Sequence, residues 1–540
     1  MFGSGAMTNS VEDVTRAADV IMMVGTNAEE AHPVIGMQIR QAVERGARLI
    51  VVDPRSIWLA DKADIHLRVK PGTNVAFANG MAHIIIRDGL VDEAFVAERT
   101  EGFDALKAAV ADYTPERVAA VCGIDVRDLE SAARMFAAGK PSAILYCLGV
   151  TEHSTGTDGV MSLGNLSMIT GNLGVRGGGV NPLRGQNNVQ GACDMGAAPA
   201  DLTGYQKVAN PEALAKFSRA WGVELSSTPG IMATDCFKGM IDGNIKGLFL
   251  FGEDPMRTDP DTNHVRKELE ALDFFVVDDL FMTETAKLAD VVLPGIAYAE
   301  KEGTFTNTER RVQRVRKAVE PPAGARPDTW IFTEVMRRMG YPQPHLSPAE
   351  VMDEVASLTP SYAGISHARL DAPETRGRGL QWPCTGPDHP GTPVMHRGGF
   401  TKGIGTMKPV EYRASAELPD ADYPLILMTG RILSQYNAMA MTGRTAGINA
   451  IEDESFIQLN GDDAAALGVA DGDTVRVSSR RGQVDVRADV SGTVLPGQTW
   501  MPLHFLEGGC NFLTSGAVLD PVSRTPEFKV CAVKVEKLEN

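Results

Sequence analysis

A strand, loop, helix, strand and acid follow one another twice in this chain, and no other feature restricts the fold as strongly. Val20-Ile21-Met22-Met23-Val24 is an unbroken apolar run, as a strand buried on both faces of a parallel sheet must be. Gly25-Thr26-Asn27 ends it in a loop. Residues 33–45 then place Val34, Ile35, Ile39, Ala42 and Val43 on one side of a helix. Arg48-Leu49-Ile50-Val51-Val52 is a second buried strand, ending at Asp53-Pro54-Arg55. The pattern returns with Gly247-Leu248-Phe249-Leu250-Phe251, the loop Gly252-Glu253-Asp254-Pro255, helical spacing over 261–271, and Phe274-Phe275-Val276-Val277 before Asp278-Asp279. From loop glycine to acid the distance is 28 residues (Gly25 to Asp53) and 26 residues (Gly252 to Asp278). One such unit is generic α/β scaffold. Two with matched spacing predict an α/β fold with two Rossmann-like, ligand-holding halves. Each loop carries one glycine where the GxGxxG fingerprint needs three, which disfavours ordinary NAD binding. A nucleotide at the strand ends stays open, with the acid taking ribose hydroxyls or guanine N–H groups.

The rest of the chain divides around these units. Residues 143–149 read as another buried strand. Residues 171–191 follow, with seven glycines in 21 positions, many amides, and Arg176 and Arg184. Glycine lets backbone approach a ligand closely, and paired amide donors and acceptors suit a polar heterocycle, so a binding loop is favoured over a linker. Residues 320–420 are broken by Pro and Gly clusters and read as a connector with little core. Near the C-terminus Val475 and Val477, then Val484 and Val486, alternate with polar residues around the turn Arg480-Arg481-Gly482, a compact barrel pattern. The predicted division is 1–186 and 187–330 for the two α/β halves, 331–420 for the connector, and 421–540 for the barrel.

Composition excludes several classes. At 540 residues, 43% hydrophobic and 22% charged, the chain is ordinary globular material too long for one core. Its 52 basic against 69 acidic residues leave a formal charge of −17, which argues against a nucleic-acid partner. The seven cysteines, Cys122, Cys147, Cys193, Cys236, Cys384, Cys510 and Cys531, form no CxxC. They read as free thiols in a reducing compartment rather than cluster or zinc ligands. No apolar run approaches a membrane span, and the first residues carry no signal-peptide pattern. A cytoplasmic protein that is not itself transmembrane is expected.

Four blocks carry a resemblance that covers essentially the whole chain. The most specific is Gly179-Val180-Asn181-Pro182-Leu183-Arg184-Gly185-Gln186-Asn187-Asn188-Val189-Gln190-Gly191-Ala192-Cys193-Asp194-Met195-Gly196. The others are Glu300-Lys301-Glu302-Gly303-Thr304-Phe305-Thr306-Asn307-Thr308-Glu309-Arg310-Arg311, Ala289-Asp290-Val291-Val292-Leu293-Pro294, and Pro526-Glu527-Phe528-Lys529-Val530. In these the chain resembles the catalytic subunit of formate dehydrogenases that hold molybdenum or tungsten on two molybdopterin guanine dinucleotides. The resemblance implies one dinucleotide on each α/β half and a C-terminal double-psi-type β-barrel capping both. It assigns Asn27, Asp53, Arg55, Gly72 and Asn74 to one dinucleotide and Glu253, Asp254, Asp278 and Asp279 to the other. From the barrel it adds Arg431, Gln435, Tyr436, Asn511 and Lys529, although the family often carries His at the position of Gln435. Gln186 would contact pterin. Arg184 would be the catalytic residue, its planar fork pairing with formate and aiming the C–H bond at the metal's sulfido ligand.

The resemblance also implies a segment that relatives carry ahead of Met1, with four cysteines on a [4Fe–4S] cluster and a metal-ligating cysteine or selenocysteine followed by His. Three explanations are open: a domain fragment, a pseudogene product, or a gene start misplaced downstream of a UGA selenocysteine codon, which is preferred. On this expectation the 540-residue chain alone would not oxidise formate. Electrons would pass to a partner subunit carrying iron–sulfur clusters or flavin. The alternatives are another molybdopterin oxidoreductase, such as a nitrate reductase, or a non-catalytic remnant.

Overall fold

Val20–Val24 lies in the middle of a five-stranded parallel sheet. The order is Ile65–Leu67, Arg48–Val52, Val20–Val24, Ser142–Tyr146, Gly179–Pro182. The computed structural model describes residues 1–539. Alternation along the strands builds two cores from one sheet. Met22, Val24, Ile50 and Ile144 pack with Phe77, Phe136 and Leu166 of the helices Asn74–Arg87, Val126–Ala138 and Gly156–Ile169. Ile21, Met23, Leu49, Val51 and Leu145 pack with Val14 and Ile39 of the helices Val11–Ala17 and Pro33–Glu44. Each large side chain so buried adds about 1.5–3 kcal/mol. The chain runs outward from Val20–Val24 to one edge and then crosses to Ser142–Tyr146, so strand order reverses between these two. That reversal opens a crevice at their C-terminal ends.

The second sheet is smaller: Val291–Pro294, Phe274–Asp279 and Gly247–Phe251, all parallel. One face packs Phe275 and Val277 against Met240, Met256, Val265 and Leu269. Nearby, Gly303–Thr306 and Arg311–Val315 form a hairpin that Leu380–Gln381 extends.

The C-terminal barrel is closed by six strands in the order Leu425–Gly430, Gln498–Pro502, Phe456–Leu459, Gln483–Val490, Thr474–Ser478, Cys531–Lys537. The alternating valines meet across the hairpin, Val475 opposite Val486 and Val477 opposite Val484, and point into the barrel core.

The chain divides into two compact units, and they cut it differently from the sequence division. One unit holds 1–183, 257–264 and 394–540, so the barrel belongs with the first α/β half. The other holds 184–256 and 265–393. The stretch expected to be a connector from 331 is therefore mostly part of the second unit. It contains the helix Pro348–Leu358, started by a Ser347/Glu350 capping box, and it buries Tyr362 and Trp382. The glycine-rich stretch 171–191 is likewise not one loop: it contains the edge strand Gly179–Pro182 and the start of the helix Val189–Asp194. Among the described residues no helix is long and apolar enough to cross a membrane.

Candidate functional site

The crevice of the first sheet is lined by the ends of three strands. Gly25, Thr26 and Asn27 follow Val20–Val24, Asp53 to Arg55 follow Arg48–Val52, and Cys147 to Gly149 follow Ser142–Tyr146. Lys70, Gly72 and Asn74 come from the entry to the helix Asn74–Arg87, and Arg431, Trp500 and Lys529 from the barrel. Seven residues assigned from sequence thus meet in one cavity: Asn27, Asp53, Arg55, Gly72, Asn74, Arg431 and Lys529. Close backbone crossings make the cavity. A Cβ on Gly149 would lie 2.6 Å from the Gly25 Cα, so the loops meet only because both are glycine. Gly72, at φ +83°, would bring a Cβ within 2.4 Å of the Ser415 hydroxyl.

The polar groups here are held from the side. The Arg55 guanidinium stacks 3.9 Å over the Trp500 ring and donates to Gln458 Oε1 at 3.2 Å. Asp53 Oδ1 accepts from the Arg55 backbone N–H at 3.0 Å, and burial pushes the Asp53 carboxyl up. Asn74 Nδ2 donates to the Gly149 carbonyl at 3.0 Å. Lys529 pairs with Glu152 at 2.8 Å and donates to the Thr429 carbonyl at 2.9 Å. Two buried oxygens, Thr26 Oγ1 and Asn27 Oδ1, make no hydrogen bond among the described residues, a state that calls for a ligand donor. The cavity is also lined by Lys70, a cation, and by His153 and Trp500, none of them among the residues assigned from sequence. Lys70-Pro71-Gly72, a cation and a glycine leading into a helix N-terminus, carried a signal for an anion. His153 and Trp500 carried none.

In the second unit the assigned acids stand at the C-terminal ends of Gly247–Phe251 and Phe274–Asp279. Their environments differ. Glu253 is exposed. Asp254 is buried and accepts from the Thr285 hydroxyl at 2.6 Å and the Thr285 N–H at 3.2 Å, an internal bracing contact. Asp279 accepts from the N–H groups of Leu280 and Phe281 at 2.6 and 3.2 Å. Asp278 is almost fully buried, and neither carboxylate oxygen makes a hydrogen bond among the described residues. Burial, with Asp328 and Asp279 nearby, pushes its carboxyl up to about 6.

Arg184 and Gln186 sit beyond the strand Gly179–Pro182. The Arg184 N–H donates to Thr308 Oγ1 at 2.9 Å, and its half-buried guanidinium reaches Cys193 Sγ at 3.5 Å. Gln186 is exposed. Of the remaining barrel residues, Gln435 is buried and donates to the Glu452 carbonyl at 2.9 Å, while Tyr436 is half exposed. Asn511 gives its amide to the carbonyls of Arg257 and Thr258 at 2.8 and 3.1 Å, holding that segment. None of these three lines the first cavity. The loop carrying Gln435 and Tyr436 is pinned by His504, which accepts from the Ile432 N–H at 2.9 Å through Nε2 and faces the Asn437 carbonyl through Nδ1. Burial lowers the His504 imidazole to about 4.

Residues 3–338 match the family model described as Molybdopterin oxidoreductase, and residues 425–532 match the Molydopterin dinucleotide binding domain. The chain is 49% identical to F420-dependent formate dehydrogenase 2 subunit alpha of Methanococcus maripaludis, over 99% of this chain and 79% of that protein. It is 39% identical to Formate dehydrogenase H of Escherichia coli, over 99% of this chain and 75% of that one. Among solved structures, acetylene hydratase from Pelobacter acetylenicus superposes with a TM-score of 0.77 at 21% identity, covering 99% of this chain and 80% of its own, a likeness of fold alone.

Proposed function

The chain belongs to the molybdopterin oxidoreductase family, and from that premise we propose that it is the catalytic subunit of a formate dehydrogenase, converting formate to carbon dioxide or the reverse. The reading is carried by identity of 49% and 39% with two formate dehydrogenases, each over 99% of the chain. We assign it two pterin dinucleotides and a molybdenum or tungsten centre. The residues present fit such a group. The first cavity joins two unbonded buried oxygens, Thr26 Oγ1 and Asn27 Oδ1, to the cations Lys70, Arg431 and Lys529. Those are acceptors for a heterocycle and countercharges for a diphosphate. Asn27, Asp53, Arg55, Gly72 and Asn74 would hold one dinucleotide, with Arg431 and Lys529 closing over it. In the second unit the two open oxygens of Asp278 suit paired N–H donors of a guanine. Glu253, Asp254 and Asp279 would shape that loop, and we assign Gln435, Tyr436 and Asn511 of the barrel to the cofactor as well.

The bound group supplies a two-electron acceptor for the substrate. What the chain itself supplies is grip and aim. Arg184 holds the formate carboxylate in a bidentate pair, which fixes the direction of the C–H bond. Gln186, exposed two residues on, would contact pterin. Formate leaves as carbon dioxide after giving up one proton and two electrons, which pass to a partner subunit carrying iron–sulfur clusters or flavin. Seven free cysteines support a reducing, cytoplasmic setting. The test is Arg184→Ala in the metal-loaded holoenzyme. Formate oxidation should fall by roughly 10³-fold or more while cofactor content holds, as befits loss of the group that orients the substrate. Wild-type turnover would refute the role of Arg184.

A further inference from the structure

Directly after the Arg184 loop, the helix Val189–Asp194 ends on a carboxylate with an unusual number of donors. Asp194 is fully buried. Its Oδ1 accepts from Gln190 Nε2 at 2.7 Å and the Tyr205 hydroxyl at 2.8 Å. Its Oδ2 accepts from the Tyr362 hydroxyl at 2.5 Å and the Trp382 indole N–H at 2.6 Å. Burial lifts the carboxyl above its ordinary value, and the four donors oppose that lift. Two donors are local, Gln190 and Tyr205, and two come from far along the chain, Tyr362 and Trp382, so one side chain ties them together. A buried cation balances the charge. Arg310 is fully buried, donates to the carbonyls of Thr392 and Pro393 at 2.9 and 3.2 Å and to that of Trp382, and lies 5.6 Å over the Trp382 ring. Its charge and that of Asp194 favour each other. Trp382 is thus gripped from both sides.

The hub reaches Arg184 through Cys193. Cys193, the residue before Asp194, receives the Arg184 Nη1–H at 3.5 Å. The loop between is otherwise fixed by the hairpin. Thr308 accepts from the Arg184 N–H, and Asn188, at φ 62°, accepts the Thr306 N–H at 2.9 Å. Those contacts fix where the Arg184 backbone sits, and the helix end fixes where its guanidinium points.

We propose that Asp194 is a positioning residue: its four-donor hub locks the helix Val189–Asp194 in place, and through Cys193 aims the Arg184 guanidinium at the carboxylate substrate. The proposal rests on the reading of Arg184 as the formate-binding group. A bidentate pair depends on angle, so a slight turn of the helix end weakens substrate capture before it affects electron transfer. Replacing one carboxylate oxygen with an amide NH₂ removes an acceptor from the hub, so that a Tyr hydroxyl or the Gln190 amide must reorient to accept, and the helix end is held less tightly.

The test uses the metal-loaded holoenzyme with formate as substrate, and compares Asp194→Asn, Tyr205→Phe and Arg184→Ala. Asp194→Asn should raise KM for formate about tenfold and change kcat less than about threefold, with cofactor content unchanged. Tyr205→Phe removes one donor of the four and should raise KM in the same direction by a smaller factor. A hub that only braces the fold would lower Tm and cofactor content and leave KM alone. The proposal is overturned if folded, cofactor-loaded Asp194→Asn keeps the wild-type KM. Should Asp194→Asn fail to fold, an unchanged KM in Tyr205→Phe overturns it. Wild-type turnover by Arg184→Ala would remove the premise and the proposal together, whereas a dead Arg184→Ala beside an unchanged Asp194→Asn would remove the proposal alone.

Discussion

The two α/β halves share one pattern in sequence and differ in how their sheets are covered. Every residue of Val20–Val24 and Ser142–Tyr146 is buried, and helices pack on both faces. In the second sheet only one face is packed, and Phe249, Phe251, Phe274 and Val291 remain 36–53% exposed. Phe332 lies against two of them, tilted to Phe249 and edge-on to Phe251, with ring centroids 5.5 and 5.1 Å away. The strand–loop–acid pattern therefore determines where the acids stand. It does not determine how many strands join the sheet or what packs over them. The loops differ in the same sense. In the first half Gly25 meets the backbone of Gly149, whereas nothing lies within 4 Å of a Cβ at Gly252.

The sharpest way to break the comparison is to add one methyl to each half. Gly149→Ala drives a Cβ into the Gly25 backbone and should cost about 3 kcal/mol, because neither strand end can retreat from a sheet buried on both faces. Cofactor content should fall with it. Gly252→Ala meets no atom and suffers only from its φ of +62°, at about 1 kcal/mol. Urea unfolding of the two variants measures the difference. Equal losses would mean that the first crevice is as yielding as the second.

The acids give the next contrast. The unfolded Asp278 carboxyl titrates at its ordinary 3.8, and the folded one at about 6. The folded chain therefore holds that proton to higher pH. Stability from this group is complete below about pH 4 and is lost as pH rises through 6. Asp278→Asn should stabilise the cofactor-free chain by about 2 kcal/mol at pH 7.5 and by little at pH 4, while weakening dinucleotide retention. Asp53, whose carboxyl burial also pushes up, should gain in the same direction on the same change. Unfolding at both pH values checks the pair, and a gain that does not depend on pH would show that Asp278 is not ionised against burial.

Where sequence was legible, the reason is local. Unbroken apolar runs marked both sets of parallel strands, and alternating valines marked the barrel hairpin that pairs Val475 with Val486. Five residues of the first cavity stood at strand ends or at a helix entry, where the pattern itself places ligands. What stayed hidden depends on partners far away in sequence. Asp254 reads as a ligand acid, yet its carboxylate meets Thr285, and the Asn511 amide meets the backbone at 257 and 258. The proline- and glycine-rich stretch after 330 reads as a connector because the groups that order it, Tyr362 and Trp382, take their partner from Asp194 more than 160 residues earlier. Composition within a window cannot report such pairs.

The smallest expected effect tests the exposed face directly. Phe274 begins the central strand of the second sheet and is 53% exposed, so burial contributes little of its transfer energy to the fold. Thr, being β-branched, retains the strand preference of Phe and removes the ring. Phe274→Thr should change unfolding free energy by no more than about 0.5 kcal/mol. At Met22, buried on the central strand of the first sheet, the same substitution deletes core volume and buries a hydroxyl, and should cost about 3 kcal/mol. If Phe274→Thr proves as costly as Met22→Thr, the outer face of the second sheet is packed as tightly as the first, and the contrast between the two halves reduces to strand number.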